Sequence, residues 1–135
     1  MNGRYQIAVH ILTLLHSAGN ASLSSDYMAG SININPVLVR RELIDLRKAG
    51  LVQSKEGNMG GYVLAKPAGQ ISMADVYNAV EQSPLLGKAR NTPNPKCTIG
   101  RQISLHMDTL NMRLRDVVTE NLGQQTLEQF YNQFK

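Results

Sequence analysis

Covalent catalysis needs a nucleophile, a base within hydrogen-bond reach and a group that orients the base. The chain offers one cysteine, Cys97, and three histidines, His10, His16 and His106. Cys97 has no evident base partner, and Asp26, Asp45, Asp75 and Glu81 are scattered over different helical faces. His10 and His16 lie on one helical pattern but point to different sides, and neither has ligand spacing to His106 or Cys97, so neither a metal site nor a cofactor is expected. The glycine cluster Gly57-Asn58-Met59-Gly60-Gly61 lies between two strand-like runs, not between a strand and a helix, which argues against a nucleotide-binding loop. These residues predict no enzyme. What remains is Arg40-Arg41, just inside a helix start formed by Asn35-Pro36-Val37. Guanidinium groups in that position suit phosphates and the edges of guanine.

An α-helix fits the major groove of DNA; side chains near its N-terminus reach base edges while flanking cations hold phosphates. The expected groove-facing set is Asn35, Val37, Arg40 and Arg41, with Pro36 at the helix start. Arg40 or Arg41 either forms a bidentate pair with guanine, contributing about 1–3 kcal/mol of discrimination, or belongs to a solvated face that touches phosphates alone. Arg4, Lys48, Lys55 and the N–H groups that follow Ser24, at Ser25 and beyond, are candidate phosphate anchors. Asn58, Gly60 and Gly61 offer a slim tip for the minor groove, and Tyr62 is either a packed strand residue or a further DNA contact. Cys97 also has two readings. Behind Pro95-Lys96 and at a helix start it has the setting of a reactive, oxidisable thiol; alternatively it is a small buried hydrophobe.

The elements that must position these residues follow from periodicity. Tyr5, Ala8, Val9, Leu12 and Leu15 predict a helix over 4–17, stopped by Gly19-Asn20. Ser24 caps a short helix to Ala29 or Gly30, with Met28 and Ala29 inward and a sharp exit at Gly30. Asn35 pairs a favoured cap residue with proline at the first helical position, and the helix runs to Ala49 with Val39, Leu43, Leu46, Leu38 and Ile44 inward. The runs 51–55 and 62–65 form a hairpin, or wing, about the glycine tip. Ser72-Met73-Ala74-Asp75 is a capping-box variant that opens another helix. Residues 83–96, with three prolines, read as a loop. Beyond it Ile99, Ile103, Met107, Leu110, Leu114 and Val117 mark a heptad-like seam on a long helix, which a second copy of the chain would cover economically. Leu127, Phe130, Tyr131 and Phe134 suggest a last amphipathic helix that contributes to the same interface. The expected architecture is mainly α with a small β-hairpin: a winged helix-turn-helix domain over 1–82, a loop over 83–97 and dimerisation helices over 98–135.

Composition agrees with this. A chain of 135 residues with 42% hydrophobic content can bury one core. Its 14 basic against 10 acidic side chains give a formal charge of +4, which suits a polyanionic partner. The excess falls in residues 1–66, with 7 basic and 4 acidic side chains. One cysteine rules out an internal disulfide, and the absence of a leader pattern or an 18-residue apolar run predicts a cytoplasmic protein with no membrane partner.

Arg4-Tyr5, the run from Asn35 to Arg41, Leu46-Arg47-Lys48-Ala49-Gly50-Leu51-Val52, Gly57 with Gly60-Gly61-Tyr62, Ile71 to Val76, and Thr126-Leu127 together carry a resemblance. In these segments the chain resembles the Rrf2 family of bacterial winged-helix transcription regulators. The resemblance implies a homodimer that binds double-stranded DNA at a pseudo-palindromic operator, in the manner of a repressor. Cluster-binding members carry three cysteines before the long helix, whereas Cys97-Thr98-Ile99-Gly100 is similar to a single-cysteine subgroup without a cluster and with an undefined effector. At Glu56 several members place a basic residue; a carboxylate there repels phosphate, so either Lys55 takes over or the wing engages DNA weakly. The competing expectation is a winged-helix module that uses the same surface on a protein partner.

Overall fold

The computed structural model describes residues 3–57, 60–81 and 83–135. The first helix, α1 (Arg4–Ser17), buries Ala8, Val9, Ile11, Leu12 and Leu15, and Gly19 at φ 63° turns the chain out of it. In α2 (Ser25–Ile32) the Ser24 hydroxyl accepts the N–H of Tyr27, and Met28 and Ala29 face inward. α2 runs past Gly30, the expected exit, and ends at Asn33, whose φ of 64° supplies the left-handed cap. Asparagine tolerates that conformation, and a single glycine inside a turn of helix does not oblige the chain to leave it.

Asn35 Oδ1 accepts the N–H of Val37 at 2.9 Å, Pro36 occupies the first position, and α3 (Pro36–Lys48) follows. Its buried side is Val39, Leu43 and Leu46 together with Glu42. Leu38 and Ile44, expected inward, are exposed. The buried stripe is narrow, and these two residues flank it on opposite sides. Strands β1 (Val52–Lys55) and β2 (Gly61–Leu64) pair antiparallel, with Val52 opposite Leu64 and Lys55 opposite Gly61. Leu23 ties the hairpin to the loop after α1: Tyr62 donates its N–H to the Leu23 carbonyl at 2.8 Å, and Leu23 returns the bond at 3.1 Å.

A short 3-10 turn (Ala68–Gln70) leads to α4 (Met73–Val80), where Ser72 and Asp75 form the reciprocal capping box expected from the sequence. Residues 83–97 contain no helix or strand, and α5 (Thr98–Leu122) then runs for 25 residues with none of them buried. α5 lies along α4, where Arg115 donates to the Glu81 carbonyl at 2.9 Å and stacks 5.0 Å above the Tyr77 ring. The last helix, α6 (Leu127–Tyr131), returns to the winged domain. Leu127 is fully buried, and its N–H reaches the Ile71 carbonyl at 2.8 Å. The core therefore crosses the expected division between 1–82 and 98–135, because the C-terminal segment fills the end of the same core that α1, α3 and α4 build.

Candidate nucleic-acid interface

The exposed side of α3 and the start of α2 form one polar surface. Arg40 Nη1 donates to Ser25 Oγ at 3.1 Å and lies 3.9 Å from Asp26 Oδ1, which lays its side chain across the N-terminus of α2. Ser24, expected as a phosphate-binding position, is the cap of that helix and stays exposed. Asn35 is also occupied as a cap, so its remaining amide hydrogens are what it can offer a base. Val37 and Arg41 project from the first two turns of α3, and Arg41 has a 3.4 Å contact with its neighbour Glu42. None of the seven sequence-expected residues at these two helix starts is buried: Ser24, Asn35, Val37, Arg40 and Arg41 are exposed, and Ser25 and Pro36 are half-buried.

Arg4, expected as a phosphate anchor, is engaged within the chain. Its Nε donates to both oxygens of Glu42, at 2.9 and 3.2 Å, and a terminal nitrogen pairs with Asp45. Glu42 is wholly buried, and hydrogen bonding to it holds the Arg4 guanidinium above its ordinary pKa. A charge taken out of water must be paired, so this clamp fixes α3 against the start of α1. The sequence carried the signal: Glu42 falls within the turn of the Val39, Leu43 and Leu46 stripe, where an acidic residue requires a partner.

A second cationic group joins the expected Lys48 to Arg47, which was not expected. Arg47 donates to Ser54 Oγ at 3.0 Å, joining the end of α3 to β1, and with Lys48 it borders a groove of about 470 Å³ floored by Leu43, Ile44 and Tyr62. Two cations in the last turn also favour the helix dipole. Lys55 and Glu56 are both exposed where the wing begins, and Asn58 lies outside the described residues.

The glycines of the wing are explained from within. A Cβ on Gly61 would come 2.6 Å from the Leu23 carbonyl oxygen, and one on Gly60 would come 2.7 Å from that of Lys55. The missing side chains make room for the chain's own backbone, which sequence reasoning had assigned to a slim DNA-reaching tip. Tyr62 is half-buried against the core, the packed alternative of its two readings.

Cys97 is exposed, which removes the reading of a buried hydrophobe. Its sulfur caps α5, accepting the Gly100 N–H at 3.4 Å. Gly100 is required for a separate reason: a Cβ there would sit 2.7 Å from the Asn94 carbonyl oxygen. His10 contacts Ser31 at 3.1 Å, His16 meets the Tyr131 ring edge-on, and His106 is exposed on α5. No helix among the described residues is long and apolar enough to cross a membrane.

Comparison with known proteins places this geometry. The model of the family described as Rrf2, iron-dependent transcriptional regulator, matches residues 1–133. The chain belongs to the Rrf2 family. Relatives agree: it is 33% identical over 132 residues to YwnA of Bacillus subtilis, named an HTH-type transcriptional regulator, covering 98% of this chain and 97% of that protein. It is also 33% identical over 133 residues to the HTH-type transcriptional regulator IscR of Pectobacterium atrosepticum, covering 96% of this chain and 76% of IscR. The structure of CymR, the global cysteine regulator of B. subtilis, superposes with a TM-score of 0.72 at 24% identity, covering 100% of this chain and 98% of CymR. That likeness shows the shared winged-helix fold. The chain is thus a DNA-binding transcription regulator of bacterial type and not an enzyme, and nothing among the relatives favours the protein-interaction alternative. The iron named in the family's description does not fit the donors of this Rrf2 chain. It has one cysteine, and no group of three or more His, Cys, Asp or Glu side chains among the described residues could hold a metal.

Proposed function

We propose that the protein acts as a homodimer in the bacterial cytoplasm, placing one α3 in each half-site of a pseudo-palindromic operator and repressing by occupancy. The observation that carries this is α5, a 25-residue helix with no buried residue, on which Ile99, Ile103 and Val117 of the heptad seam are exposed while Arg115 holds another side to α4. Exposed apolar residues in register on a long helix are stabilised by a second copy of that helix. Asn35, Val37 and Arg41 then face base edges, Arg40 reaches the DNA from its place beside Ser25 at the start of α2, and Ser24, Ser25, Lys48 and Lys55 lie along the phosphates, with Arg47 added to them. A mobility shift with the protein's own upstream promoter, repeated at two salt concentrations, tests this. Several phosphate contacts predict a steep loss of affinity with salt, and a flat response rejects the reading.

Control through Cys97 belongs to the same proposal. The thiol is exposed where loop 83–97 meets α5, so its oxidation acts at the joint between the reading heads and the dimer helix. Peroxide converts the thiolate to sulfenic acid with release of hydroxide, and the modified sulfur no longer caps α5 in the same way. Wild-type protein is expected to lose operator affinity on peroxide treatment while Cys97→Ser does not; identical responses end the thiol proposal.

A further inference from the structure

Val37 has no structural reason to be valine. It is 61% exposed on the first two turns of α3, makes no core contact, and its backbone is already fixed by the Asn35 cap at 2.9 Å. A β-branched residue loses rotamer freedom in a helix, and only packing normally repays that loss. Among the described residues the core offers Val37 no such packing. The same stiffness leaves the two methyl groups held in one preferred rotamer, so an apolar contact at this point needs little further ordering.

The major groove displays one apolar group, the C5-methyl of thymine. We infer that Val37 reads a thymine methyl in each operator half-site, next to the base pair approached by Arg41. The inference rests on the reading that α3 enters the major groove. Arg41 follows Val37 by one turn, about 6 Å along the helix axis, and base pairs are stacked about 3.4 Å apart. The thymine therefore lies within about two base pairs of the Arg41 position. Arg40, held by Ser25 and Asp26, is turned toward the start of α2 and leaves the Val37 side of the helix open. Ile44 is comparably exposed at 56%, but it floors the groove between Arg47, Lys48 and Tyr62, about 10 Å further along α3, and so serves as a control.

The test begins with duplexes selected by the full chain from a randomised pool. The best duplex is synthesised again with each thymine in turn replaced by uracil, which differs only in lacking the methyl group. Wild-type protein is expected to bind about fourfold more weakly when one particular thymine of a half-site is replaced. Val37→Ala is expected to bind the thymine and uracil duplexes alike, and Ile44→Ala to keep the wild-type difference. Since position 37 is exposed, Val37→Ala should melt no lower than wild type, which separates lost reading from lost fold. Indifference to uracil at every position, or a uracil effect that persists in Val37→Ala, overturns the inference. A pool from which no sequence is enriched fails one step earlier and overturns the placement of α3 in the groove.

Discussion

At the scale of single residues, the Arg4 and Glu42 pair is the point where stability and DNA reading meet. Glu42 sits on the helix that carries Arg40 and Arg41, and it is wholly buried. Arg4→Met should therefore cost about 2–4 kcal/mol, below the full figure for breaking a buried pair because the arginine keeps some solvent access. Urea denaturation checks this, and Arg4→Met with Glu42→Leu should recover much of the loss, since no buried charge is then left alone. Tyr5 supplies a pH-dependent companion. Its hydroxyl donates to the Met73 carbonyl at 3.0 Å, and burial pushes its pKa from 10.0 up to about 12. A raised pKa means that the folded state holds the proton longer than the unfolded chain, so the contribution of Tyr5 is complete below pH 10 and declines as pH rises toward 12. Tyr5→Phe should be less stable at neutral pH by about 1 kcal/mol for the lost hydrogen bond, and the gap to wild type should narrow between pH 10 and 12. The exposed placement of Arg40 and Arg41 on α3 was legible from sequence because its signal is local: two cations behind a helix cap. The pairing of Arg4 was not legible because its partner, Glu42, lies 38 residues away, and spacing along a chain does not encode that contact.

At the scale of elements, local chemistry decided the starts and tertiary contacts decided the ends. Asn35-Pro36, the capping box at Ser72 and Asp75, and Ser24 all began helices where their side chains could satisfy free N–H groups. The end of α2 at Asn33 and the exposure of Leu38 and Ile44 were not legible, because they depend on how wide a face the neighbouring helices cover. The hairpin shows the same division: its existence followed from alternation and glycine, but the reason for Gly61 appears only with Leu23 beside it. Gly61→Ala forces a Cβ against the Leu23 carbonyl oxygen, so β2 must retreat from the loop after α1. The expected cost is about 1–3 kcal/mol in thermal or urea unfolding. Operator affinity should fall through a displaced wing while the salt dependence keeps its slope, because no phosphate contact is deleted. An unchanged melting temperature in Gly61→Ala would show that the close approach to Leu23 is not needed in solution.

At the scale of the whole molecule, the C-terminal part of the chain has two tasks that the sequence pattern could not separate. α6 closes the core of its own domain through Leu127, whereas α5 is left with apolar side chains facing solvent. Heptad spacing identified the apolar residues of α5, yet Met107, Leu110 and Leu114 are half-covered within one chain while Ile103 and Val117 remain open. Ile103 and Val117, like Ile99, are therefore positions at which association can be tested without disturbing the fold. Ile103→Glu with Val117→Glu places carboxylates on the seam but removes nothing from the core, so helix content should be unchanged and melting should fall only by the stabilisation that the second copy gives. Light scattering should then report a molecule of half the wild-type mass. If two half-sites are read together, the monomer loses the gain from a linked second binding event, and operator affinity should fall by about a hundredfold. Binding to a duplex with a single half-site should stay the same for both proteins, because each reading head is intact. Retention of full operator affinity by a proven monomer would mean that α5 does not couple the two recognition helices.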